Sequence, residues 1–207
     1  MGFFDFINKK KKVQGTIGYF NLSDWWLSEF SKEERTYIQE RFQPLGLHSS
    51  SLVNGNMTST SQTAIGLLHN LSGWFSKKED RHIAYKFIEK AEQLIGSESR
   101  ILDIHFLYST KIELMYKDRD AISGGLEKAI KACQQQISYS DKASKAFKEK
   151  SPNESLPSHK GYQQLVIVKE KQKEFIDAIS LSEKAVAQGW AGDWEKRIER
   201  CKKKQAA

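Results

Sequence analysis

HKGYQQLVIVKEKQKEFIDAISLSEKAVAQGW, residues 159–190, decides how the chain folds. Its first half sets Tyr162, Leu165 and Val166 three and four residues apart, which places them on one face of a helix. The run Lys171-Gln172-Lys173-Glu174 carries no apolar residue and marks a turn. Phe175, Ala178, Ile179, Ala185 and Val186 then return to helical spacing. Two amphipathic helices joined by so short a turn lie antiparallel. The small Ala178 and Ala185 let them approach closely, while Tyr162, Leu165 and Phe175 fill the space between. Beyond the hairpin, residues 193–204 put Trp194 and Ile198 on one side and basic residues on the other. Together with Trp190 they predict a solvating cap helix whose C-terminal lysines suit the helix dipole.

The same reading extends toward the N-terminus. Residues 98–117 place Ile101, Ile104, Leu107, Tyr108, Ile112 and Met115 at helical spacing. A turn at Lys117-Asp118-Arg119 leads into Ala121, Leu126, Ala129, Ile130 and Cys133, a second hairpin. Gly124 and Gly125 inside its second helix cost about 1 kcal/mol each relative to alanine, so the helix there is either closely crossed or bent. Polar residues 134–150 prolong that helix past the packed region, and Ser151 to Pro157 break it and form a hinge. Further back, Ser76 with Glu79 predicts a capping box for a helix through Ile83, Phe87, Ala91, Leu94 and Ile95, closed by Gly96. Thr60 or Ser61 caps one through Ile65, Leu68, Leu71 and Phe75. Residues 47–61 read as a polar connector, and Pro44 and Gly46 stop the run that Ser31 and Glu34 open. Trp25, Trp26 and Phe30 form an earlier helical face. The expected architecture is all-α: a basic and aromatic arm at 1–22, an N-terminal helical region at 23–96, and stacked hairpins with a capping helix at 97–207.

The stretch that opened this reading resembles a tetratricopeptide repeat. That family places an aromatic-x-x-Leu pair on the first helix, an aromatic three residues before a small Ala on the second, and another Ala seven later. Tyr162, Leu165, Phe175, Ala178 and Ala185 match in type and spacing. Lys169 stands where a Tyr is usual, Ser182 where an aromatic is common, and Trp190 where the closing Pro falls. In the upstream hairpin Tyr108, Ile112 and Ala121 fall near the expected places, but Ala129 follows Ala121 by eight residues instead of seven. The resemblance implies a short irregular right-handed array whose concave surface receives a peptide or helix of another protein. Its groove positions, carried onto this hairpin, are Lys160, Gln163, Ile167, Glu170 and Lys171. An ordinary solvated face is the competing reading of those five.

Charge narrows the partners. Four lysines against Asp5 give residues 1–12 a charge of +3, and six basic groups against Glu199 give 196–204 a charge of +5. The remainder of a chain whose formal charge is +7 therefore carries −1. A lysine-rich stretch either side of the hinge, Lys142 to Lys173, is interleaved with Glu149, Glu154, Glu170 and Glu174 and contains no arginine. Phosphate recognition favours unbroken basic faces and bidentate arginines. A nucleic-acid-binding regulatory or defence-associated role is therefore the second reading. Residues 2–12, with Phe3, Phe4, Phe6 and Ile7 ahead of four lysines, suit either peripheral membrane contact or docking on the chain's own domain. Nothing approaches the ~18–20 apolar residues of a membrane span or the order of a secretory signal, so a cytoplasmic protein is expected.

No chemistry is nominated by the sequence. His48, His69, His82, His105 and His159 are scattered with no pair at metal-ligand spacing, and Cys133 and Cys201 read as reduced thiols. No nucleophile elbow, phosphate-cradling loop or dinucleotide fingerprint occurs. The sequence predicts a non-enzymatic adaptor without cofactor or metal, engaging another protein or peptide.

Overall fold

The computed structural model describes residues 13–44 and 49–206. Among them are eleven α-helices and only two short strands, an all-α fold. The chain divides into two compact units, Met1–Ala64 and Ile65–Ala207.

In the first unit, residues 13–22 are more than an arm. Gly15–Tyr19 forms helix α1, and Ile17 and Leu22 are buried. Helices α2 (Ser23–Glu29) and α3 (Lys32–Arg41) follow, and Trp26 packs its ring 5.1 Å from that of Phe30. The Ser31 capping box forms as read: the Glu34 amide donates to Ser31 Oγ over 3.1 Å, and the Ser31 amide donates to Glu34 Oε2 over 2.8 Å. The polar connector is not wholly a loop. Ser49–Leu52 is a turn of 3-10 helix, Leu52 is buried, and the Gln14 amide donates to the Val53 carbonyl over 3.0 Å. Residues 2–12, the candidate membrane contact, lie outside the described residues.

The second unit begins at Ile65, so the helices that the sequence grouped with residues 23–96 share a unit with the hairpins. Helix α4 (Ala64–Trp74) precedes α5 (Arg81–Gln93). The Ser76 and Glu79 capping box is absent at the start of α5. Asp80 occupies the N-cap without a side-chain cap bond, because a turn over residues 77–80 places the helix start later. Asp80 is buried and Leu94 is exposed.

Helices α6 (Ile101–Lys117), α7 (Gly125–Ser138), α9 (Lys160–Lys171), α10 (Phe175–Gln188) and α11 (Trp194–Gln205) pack in chain order, each on the next. Helix α9 also packs on α6. Ala121 is exposed in the turn before α7 and belongs to no helix. Gly124 and Gly125 start α7 and lie outside its interior. Gly124 holds a φ of +65° at the N-cap, and a Cβ on Gly125 would come within 2.7 Å of the Arg119 carbonyl oxygen. Residues 134–150 are not one continuous helix. The helix is interrupted at Tyr139, whose ring stacks on Tyr108 with centroids 6.0 Å apart, and α8 (Ser140–Lys150) packs on α6. Ala143, Ser140 and Ser144 of α8 are buried, so this segment is core-forming.

Ser151 to Pro157 ends α8, as the prolines require, but its exit is ordered. Leu156–Ser158 (β1) pairs in parallel with Trp190–Ala191 (β2), joining the residues before α9 to those after α10. Tyr162, Val166, Ala178, Ala185, Trp190, Trp194 and Cys201 form one buried cluster with Ala143 and Leu156. Ile112, Ala132, Cys133 and Leu165 form another.

Candidate functional site

The five groove positions lie on one stripe of α9, opposite buried Tyr162, Leu165 and Val166. Lys160, Gln163 and Ile167 are half-buried and Lys171 is exposed. Glu170 is already engaged. Its carboxylate accepts from Arg200 Nη2 at 2.8 and 2.9 Å, from Arg200 Nε at 3.1 Å and from Arg197 Nη1 at 3.2 Å, and its side chain is 12% exposed. Helix α11 therefore closes one end of the stripe.

Helix α6 lies beside α9 and runs the same way: His105 meets His159 near the starts of the two helices, and Ile112 shares a cluster with Leu165 further along. On the exposed side of α6, Glu113 accepts from Lys117 over 2.8 Å. That bond, with further support from Lys117 and Lys160, holds the Glu113 carboxyl below the usual carboxylate range against the opposing effect of burial. Lys160 thus links the α9 stripe to α6. Two turns earlier on that side, Phe106 is 43% exposed. His69 of α4 stacks on Phe106 with centroids 6.2 Å apart and meets Thr110 Oγ1 at 3.0 Å. Phe106 was not singled out by the sequence, since a helical apolar residue gives no sign of exposure until its neighbours are placed.

A cleft of about 460 Å³ opens on another side, between α7, α9 and α10. Leu165, Ile137 and Leu181 supply its apolar lining, and the exposed Gln134, Ser138 and Ser180 its polar edge. Lys169, which stands where the tetratricopeptide pattern has Tyr, lines it and pairs with Glu174 and, at 3.1 Å, with Asp177.

The tertiary structure also gathers two histidines that the sequence leaves scattered. His105 and His159 sit 3% and 0% exposed with ring centroids 5.2 Å apart. Burial pushes His105 down to about 4. His159 is pushed to about 3, first by burial and then by His105, against a small opposing effect of a backbone hydrogen bond. Gln136, fully buried on α7, donates to the His105 carbonyl over 2.8 Å and accepts from the Gly161 amide over 2.6 Å, tying three helices together.

Burial raises both thiols, Cys133 to about 12, which disfavours the reactive thiolate. Among the described residues, no three or more His, Cys, Asp and Glu side chains gather to hold a metal ion. None of the described helices is long and apolar enough to cross a membrane. No family model, curated protein or solved structure matches the chain.

Proposed function

We propose that this protein is a non-enzymatic cytoplasmic adaptor. It takes a peptide or helix of another protein on the adjoining exposed stripes of α6 and α9, in the manner of a tetratricopeptide-like array. The observation that carries this reading is that α6 and α9 lie parallel with exposed faces side by side, offering half-exposed Phe106 and Ile167 between charged Glu113, Lys117, Lys160 and Lys171. Apolar anchors set among charges that fix register are what a recognition surface for a peptide or amphipathic helix needs. Packing in chain order, each helix on the next, is also how helical arrays build extended binding surfaces.

The test is affinity capture from native lysate with the intact chain and with a Phe106→Ala, Ile167→Asp, Lys160→Glu variant, each with nuclease and at raised salt. A protein retained through nuclease and salt by the parent, and lost by a variant with unchanged circular dichroism, supports the adaptor. Recovery of nucleic acid, or loss of every partner at raised salt, refutes it and favours the basic-surface reading.

A further inference from the structure

The buried pair His105 and His159 has no part in the proposed partner surface, and its surroundings are specific. His159 joins β1 to α9 and serves as the N-cap of that helix: its Nδ1 accepts from the Tyr162 amide over 3.3 Å. Accepting that bond requires Nδ1 to be unprotonated. His105 lies flat on the Trp190 indole, with centroids 5.5 Å and ring planes 7° apart. His159 meets the same indole edge-on at 4.7 Å. Phe147 closes the cluster from α8, 5.3 Å from the His105 ring and 5.9 Å from Trp190. Of the other three ring nitrogens of the pair, His105 Nδ1 and His159 Nε2 are buried and have no hydrogen-bond partner among the described residues.

We propose that His105 and His159 form an acid-sensitive joint whose protonation releases β1 and the start of α9 from α6 and β2. Protonating His159 does three things at once. It removes the acceptor that caps α9, sets a positive charge at the positive end of that helix, and places this charge in an aromatic enclosure beside a second imidazole. The charged groups on the elements packed around the pair give no compensation. Lys148 of α8 reaches toward Gly189 beside Trp190, and Lys160 follows His159 on α9, both of the same sign as an imidazolium. Asp141 of α8 holds Gln188 over 2.8 Å, and the Tyr162 hydroxyl meets Ser140 at 3.3 Å. Gln136 of α7 spends its side chain on backbone groups.

The sign follows from linkage. Both histidines are held below the ordinary value, so the closed joint binds fewer protons than the open one. Its stability is complete above about pH 6.5 and falls as pH drops toward the folded values. Between pH 7 and pH 5 each histidine favours opening by ~25-fold, and the pair by roughly 600-fold.

Hydrogen exchange by mass spectrometry on the full chain at pH 7 and pH 5, corrected for intrinsic exchange, tests the joint. Residues 156–172 are expected to open several hundredfold more at pH 5 while residues 81–93 hold. A His105→Phe, His159→Asn variant, in which Asn retains a cap acceptor that does not titrate, is expected to reduce the change below about tenfold. Ring-proton NMR titration of the parent gives a readout independent of how the variant folds, and both histidines are expected to titrate below pH 5.5. The proposal is overturned by titration of either ring near 6.5, by equal opening of every helix, or by the same pH response in the folded variant.

Discussion

Replacing Gln136 with leucine isolates the polar tie between α6, α7 and α9. Leucine nearly conserves the volume but neither donates nor accepts, so two backbone groups lose a partner. The Gly161 amide lies in the first turn of α9, where no helical carbonyl is available to it. Buried and unpaired, it costs about 1–3 kcal/mol. The His105 carbonyl lies within α6 and keeps its place in the helical ladder, so losing the 2.8 Å bond from Gln136 costs about 0.5–1.5 kcal/mol. The leucine recovers roughly 1 kcal/mol by burying extra apolar surface. The net loss is about 2 kcal/mol, or roughly 4–8 °C in Tm for a unit of this size. Thermal and urea unfolding followed by far-UV circular dichroism measure it. A Gln136→Glu control keeps the acceptor for Gly161 but turns a second acceptor toward the His105 carbonyl, and is expected to lose at least as much. A Gln136→Leu protein that melts within about 1 °C of the parent would show that the tie contributes nothing and that apolar packing alone seats α9.

Ser182→Ala is expected to stay within about 0.5 kcal/mol of the parent, because the buried hydroxyl bonds only its own helix, at the Ala178 carbonyl over 2.8 Å. Ser182→Phe, which installs the aromatic that tetratricopeptide repeats often carry there, is expected to cost about 1–3 kcal/mol in urea unfolding through overpacking. An unchanged midpoint would mean that the interface yields easily. Glu170→Ala is expected to destabilise by about 1 kcal/mol, a modest value because Arg200 is 41% exposed and screened, and to speed hydrogen exchange in α11. The effect is expected to shrink as salt rises, and salt independence would place the contribution of Glu170 elsewhere.

What the sequence determined by itself is what periodicity and short-range chemistry encode. Tyr162, Leu165, Ala178 and Ala185 announced the α9 and α10 hairpin through spacing alone, and all four are buried. Ser31 and Glu34 announced the start of α3 because a capping box is complete within four residues. The spacing around Asp118 to Gly125 misled, since a turn and a helix start offer similar small and polar residues until backbone angles distinguish them. Only the tertiary structure decided that the polar residues 140–150 pack on α6 as a separate helix α8, that Leu156 pairs with Trp190, and that Gln136, His105 and His159 are interior. A polar side chain is buried when a distant backbone group or ring completes it, and that partner lies on another helix. Local spacing cannot express such an arrangement, so the candidate stripe on α9 was legible in the chain while Phe106 beside it, the Glu170 clamp and the histidine joint were not.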